Sequence, residues 1–193
     1  MKTLPSDRDN ILDYLDRISE VIHTLEDYCI FNIENLIKYL YSAKIRNKKV
    51  FICGNGGSSS VASHIAQDLF KMCDIKAFSL TDNTSLITAI SNDVNYNKIF
   101  EYQLNTLASK GDILITLSGS GSSGNILNAL KWANKNGLIT ITLVGTNGGK
   151  VLKSKNKLDL IIHIEEDMQK SEDMFLVIFH IVLQVIYKKY IIK

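Results

Sequence analysis

Three stretches of the chain place glycine beside hydroxyl and amide side chains directly after an apolar run. They are "CGNGGSSS" at 53–60, "LSGSGSSGN" at 117–125 and "LVGTNGG" at 143–149. Glycine lets the main chain approach a ligand closely, while serines and the free N–H groups of a helix start donate hydrogen bonds to an anion. That donor set suits a phosphate held without lysine or metal. The local alternative is that Gly, Ser and Asn only form turns and helix caps. "SGSGSSGN" argues most for phosphate, because it joins a strong strand pattern to a strong helix pattern. Nucleotide binding is poorly supported. No GxxxxGK[ST] occurs, and although "GSGSSG" at 119–124 fits GxGxxG, the following strand "LITITLV" lacks an acidic residue for a ribose.

A second set of residues has titratable side chains. His64 and Asp68 stand at i and i+4 after the first glycine turn, on one face of a helix. His180 interrupts the apolar run "MFLVIFHIVLQVI", and Glu172 precedes it by eight residues. Taken singly, the first pair could face solvent and His180 could be a hydrogen-bonded core histidine. Brought together, His64, Asp68, Glu172 and His180 form a set suited to Zn²⁺ or to proton transfer. Eight helical residues rise about 12 Å, so Glu172 must either precede the final helix or serve a neighbouring site.

The elements that must position these groups follow from periodicity. Residues 9–43 carry apolar side chains at helical spacing, which predicts two helices or one bent helix with a wide apolar stripe. A partner subunit is a reasonable cover for that stripe. Short apolar runs then alternate with helical segments. "VFICG" (50–54), "KAFSL" (76–80), "DILITLSG" (112–119), "LITITLVG" (138–145) and "LDLIIHI" (158–164) read as strands, with helices between them and a final helix over 172–190. The alternation predicts an α/β fold, a five-stranded parallel sheet covered on both faces. One domain is expected, with 1–46 as a helical arm and 47–193 as the core.

Composition bounds the partners. The 193 residues are 46% hydrophobic and 22% charged with a formal charge of +2, and the basic residues are spread along the chain. That argues against a nucleic-acid partner. Three cysteines without CxxC spacing argue against a disulfide framework or zinc knuckle and fit reduced thiols. The N-terminus has no apolar leader core, and the C-terminal apolar run is short and carries His180 and Gln184. A cytoplasmic protein without a membrane span is expected.

Together "CGNGGSSSVASH", "AISND", "SGSGSSGNI", "LVGTNGGK" and "SEDMFLVIFH" resemble the sugar isomerase (SIS) domain family, in particular its phosphoheptose isomerase branch, over nearly the whole chain. The resemblance implies a flavodoxin-like three-layer fold and a homotetramer with active sites between subunits. It implies conversion of sedoheptulose 7-phosphate to D-glycero-D-manno-heptose 7-phosphate, on the way to surface polysaccharide such as lipopolysaccharide or capsule. By the same resemblance Asn55, Gly56 and Gly57 line the sugar site, and Asn92 and Asp93 contact hydroxyls. Ser118, Gly119, Ser120 and Ser123 hold the phosphate, and His64 and His180 bind zinc. The chain departs from the family twice, with Asp68 where a glutamate is usual and Glu172 where a glutamine is usual.

The expected chemistry is aldose–ketose isomerisation through an enediol, with Asp68 as base and His180 as acid–base partner. Zn²⁺ on His64, Asp68, Glu172 and His180 would polarise the carbonyl. Two alternatives stand beside it: a non-catalytic protein that binds phosphosugars, motivated by the shorter Asp68, and an isomerase of another sugar phosphate.

Overall fold

A computed structural model of the chain describes residues 6–154 and 157–192. The opening residues 1–5, part of the stretch without a leader core, lie outside the described residues.

The arm is one bent helix. α1 (Asp7–Thr24) and α2 (Ile30–Ile45) are joined by a single wide turn, Leu25–Cys29, with five-residue hydrogen-bond spacing. Ser6 starts α1 through a capping box, its hydroxyl accepting from the Asp9 N–H while the Asp9 carboxylate accepts from the Ser6 N–H. Of α1 only Val21 is buried. The stripe of Ile11, Leu12, Leu15, Tyr28 and Phe31 is open to solvent, with Tyr28 at 78% and Phe31 at 68% exposure.

The core alternates as expected: β1 (Val50–Gly54), α3 (Gly57–Cys73), β2 (Ala77–Ser79), α4 (Thr84–Asp93), α5 (Ile99–Leu107), β3 (Ile113–Ser118), α6 (Gly124–Lys135), β4 (Ile139–Val144), α7 (Gly149–Lys153), β5 (Leu160–His163) and α8 (Met168–Ile186). A 3₁₀ turn, Tyr96–Lys98, leads into α5, and the short α7 lies in a stretch whose sequence reads only as turn. The strands are all parallel in the order β2-β1-β3-β4-β5, with Cys53 opposite Thr116 and Thr116 opposite Thr142.

Side chains alternate across a strand, and the sheet divides its apolar residues accordingly. Val50, Ile52, Ile115, Leu117 and Ile141 pack with α2, α3 and α8 on one face. Phe51, Cys53 and Leu114 pack with α4, α5 and α6 on the other. All loops at the carboxyl ends of β1, β3 and β4 therefore emerge along one edge, where a parallel sheet receives ligands.

α8 begins four residues earlier than the sequence suggests. Asp167 caps it, accepting from the Lys170 N–H at 3.0 Å. With its extension to Ile191, α8 is long and apolar enough by composition to cross a membrane. Here it lies against the sheet, with Phe175, Ile178, Phe179, Val182 and Ile186 buried in the core.

Candidate active site

The loop after β3 forms one wall of a cavity of about 210 Å³. Its lining comprises Asn55, Gly56, Ser58, Leu117, Ser118, Gly119, Ser120, Ser123, Met168 and Glu172. The loop's internal hydrogen bonds use hydroxyl oxygens as acceptors. Ser118 Oγ receives the Gly121 N–H at 3.1 Å, and Ser120 Oγ receives the Ser122 N–H at 3.3 Å. Each hydroxyl proton is thus left to donate elsewhere. Gly121 has φ +59°, and a Cβ there would lie 2.2 Å from the Gly148 carbonyl oxygen, so the loop admits no side chain at this point.

Three helices start at this edge without a side-chain cap, and two of them, α3 and α6, border the cavity. α3 starts at Gly56 and α6 at Ser123, and neither makes a side-chain cap bond. α1, α4 and α8 are all capped by side chains. The Ser59 N–H turns back to the Gly56 carbonyl and the Ile126 N–H to Asn125 Oδ1, so each start offers its remaining first-turn N–H groups and its positive dipole end to an anion. No lysine or arginine is among the cavity's lining residues.

Glu172 lies in the second turn of α8 and faces this cavity. Its carboxylate accepts from Ser58 Oγ at 2.8 Å, and a Cβ on Gly57 would stand 2.2 Å from Glu172 Oε2. A side chain at Gly57 would push this flexible carboxylate aside and break its bond with Ser58.

Farther along the same two helices, His64 of α3 meets His180 of α8. Their Nε2 atoms are 3.1 Å apart, and Asp68 Oδ2 is 3.3 Å from His64 Nε2. Among the described residues, these three form a group whose ligand atoms all lie within 4.8 Å. His64 is 47% exposed and Asp68 15%. Two imidazoles and a carboxylate are ordinary zinc ligands, and bonds of about 2.0–2.1 Å to a tetrahedral ion put neighbouring donors roughly 3.3 Å apart. The donor set fits that ion with a position left open.

Within one chain the expected four-residue set is corrected to three. Glu172 is about 12 Å up the helix axis from His180 and is engaged by Ser58 instead. Asn92 and Asp93 also stand apart. Both are exposed at the end of α4, hydrogen-bonded to each other at 2.8 Å, and line neither small cavity.

Thr81, Thr84 and Tyr96 carry no signal in the sequence, although they border a second cavity. A neighbouring cavity of about 200 Å³ shares Asn55 and Gly56 with the first and adds Ser59, Thr81, Thr84 and Tyr96. Tyr96 and Asn125 both bond the Asn55 amide. A third, larger cleft of about 780 Å³ beside β2, floored by Phe51 and Phe78, contains none of the expected site residues. The cysteines are free and buried. Burial pushes the Cys53 thiol well above its ordinary range and Cys73 up to about 11, so neither is a thiolate at neutral pH.

The model of the SIS domain matches residues 13–145. A phosphoheptose isomerase of Aliarcobacter butzleri is 34% identical over 180 residues, covering 91% of this chain and 92% of that one. One of Clostridium acetobutylicum is 36% identical over 166 residues, covering 83% of each. Among solved structures, a phosphoheptose isomerase from Francisella tularensis aligns with a TM-score of 0.90 at 26% identity, covering 96% of this chain and 100% of that one.

Proposed function

The chain belongs to the SIS domain family, and from that premise we propose that it interconverts sedoheptulose 7-phosphate and D-glycero-D-manno-heptose 7-phosphate. The observation that carries this reading is the pairing of two sites along α3 and α8. A hydroxyl-lined cavity lies at the helix starts, and a His–Asp–His group lies farther along. Ser58 and His64 are six residues apart on α3, about 9 Å along its axis, comparable to the reach of an extended seven-carbon phosphate. Relatives at 34% and 36% identity that carry the name phosphoheptose isomerase support the same substrate class.

In this mechanism Ser118, Gly119, Ser120 and Ser123, with the start of α6, hold the phosphate. That remote binding energy orients the far end of the sugar. Asp68 removes a proton from carbon 1 of the ketose, while His180 gives a proton to the carbonyl oxygen at carbon 2. The resulting enediol collapses when carbon 2 takes back a proton and the oxygen on carbon 1 releases one, so no atom is gained or lost. His64, Asp68 and His180 are the residues that would hold Zn²⁺, which when bound polarises the carbonyl as a Lewis acid. Asn55, Gly56 and Gly57 border the polyol. Asn92 and Asp93 reach a sugar only if a second subunit brings them there.

The same reading covers assembly. The exposed apolar stripe of the arm and the half-exposed histidines suit a homotetramer in which subunits complete one another's sites in the cytoplasm, ahead of surface-polysaccharide assembly. The test is a panel of ketose phosphates of five to seven carbons, assayed for aldose formation with and without added Zn²⁺. Turnover of the seven-carbon substrate is expected. Preference for a shorter sugar would redirect the substrate assignment, and no turnover of any would set the isomerase reading aside.

A further inference from the structure

Asn55 borders both small cavities, and a primary amide there could offer a ligand either its oxygen or its N–H. One main-chain group decides between them. The N–H of Ile126 is an orphan donor in the first turn of α6, and it gives its hydrogen to Asn125 Oδ1 at 2.9 Å. That fixes which end of the Asn125 amide is which. Asn125 Nδ2 then donates to Asn55 Oδ1 at 2.8 Å, and Asn55 Nδ2 returns a bond to Asn125 Oδ1 at 2.9 Å. Tyr96 Oη donates to the same Asn55 oxygen at 2.9 Å. Both carbonyl oxygens now accept two bonds each. What remains on Asn55 is a single N–H. Turning the pair over would set Asn125 Nδ2 against the Ile126 N–H, donor against donor, so only one polarity is allowed.

We propose that Asn125 and Tyr96 are positioning residues that hold Asn55 as a hydrogen-bond donor, so that a ligand oxygen must be received through its lone pair where the two cavities meet. This rests on the sugar-phosphate reading and adds to it the polarity of one contact. Asn125 is 1% exposed and touches ligand in neither cavity's lining, so its effect passes through Asn55. A site that fixes one hydrogen-bonding partner discriminates against a ligand lacking it, because the half-buried Asn55 N–H is then left without that partner.

The discriminating variant is Asn125→Asp. It is isosteric, still accepts the Ile126 N–H, and places its negative charge favourably at a helix start, so capping and packing survive. It lacks the N–H that Asn55 Oδ1 needs and forces that amide to turn. The readout is calorimetric Kd for two probes, sedoheptulose 7-phosphate and inorganic phosphate. The Kd for the sugar phosphate should rise about tenfold or more and that for phosphate by less than about threefold, whatever Tm is lost to the buried charge. Tyr96→Phe, at an exposed position that removes one bond without charge, should raise the sugar-phosphate Kd about two- to fivefold and leave phosphate binding unchanged. An equal loss for both probes would trace the effect to charge and overturn the proposal, as would an unchanged sugar-phosphate Kd. If Asn125→Asp does not fold, Tyr96→Phe decides alone. Turnover plays no part in this readout, so binding without isomerisation would sink the proposed reaction and leave the polarity argument standing.

Discussion

The two ends of the site are built in opposite ways. The end proposed for the phosphate consists of main chain and short side chains at strand ends, with Ser118 and Asn125 buried and the loop pinned by its own hydrogen bonds. The histidine end consists of long side chains on outer helix surfaces, where His64 and His180 touch each other and solvent. A single chain can therefore finish the first end and only begin the second. In the proposed reading, anchoring belongs to the fold itself, whereas chemistry sits where a metal ion and a neighbouring subunit can still be added.

The contrast breaks most sharply at His180. His180→Ala should lower turnover by about 10²–10⁴-fold while the Kd for sugar phosphate stays within about threefold, because only the reacting end loses its proton donor. Equal losses in binding and rate would place His180 in the anchor instead. Gly57→Ala should come next, since its Cβ would meet the Glu172 carboxylate that Ser58 holds. Overpacking of this kind costs about 1–3 kcal/mol, and a fall in Tm with weaker sugar-phosphate binding is expected. The double variant Gly57→Ala with Glu172→Ala should recover most of the Tm.

Ser118→Ala works on the anchor alone. One lost hydrogen bond to a charged ligand is worth about 1.5–3 kcal/mol, so KM should rise about tenfold or more with kcat nearly unchanged. A fall in kcat with constant KM would show that the two ends are not separable. The smallest effect concerns the arm. Arg17, half exposed, pairs with the buried Glu166 carboxylate just ahead of α8, and Tyr14 donates to Asp173 at 2.9 Å. Arg17→Ala should lower Tm by a few degrees and leave the Kd for phosphate unchanged, as measured by thermal denaturation and calorimetry. Unchanged Tm would show that the arm is not latched there.

The hydroxyl-lined cavity was legible in the sequence and the histidine end only partly. Strands such as "DILITLSG" announce themselves by composition, and glycine with serine after them marks the loops, so the turn at Ser118–Ser123 follows directly from the sequence. His64 and Asp68 share a helix face by spacing alone. Their meeting with His180 depends on how α3 packs on α8, a contact across 116 residues that leaves no periodic trace. Glu172 lies within α8 and not before it, because the helix begins where Asp167 caps it, and of its two expected places the structure shows the neighbouring cavity, beside Ser58. Tyr96 had no signal at all, since its role lies in one hydrogen bond to Asn55.

The most direct test of the account is solvent exchange at the carbon beside the carbonyl. Sedoheptulose 7-phosphate is incubated with the protein in heavy water, with and without Zn²⁺, and carbon 1 is followed by NMR. The account requires deuterium to enter at carbon 1 with the wild-type chain and to stop entering with His180→Ala, while both proteins still bind the sugar phosphate. Tight binding with no deuterium uptake by the wild type, under either metal condition, would contradict it.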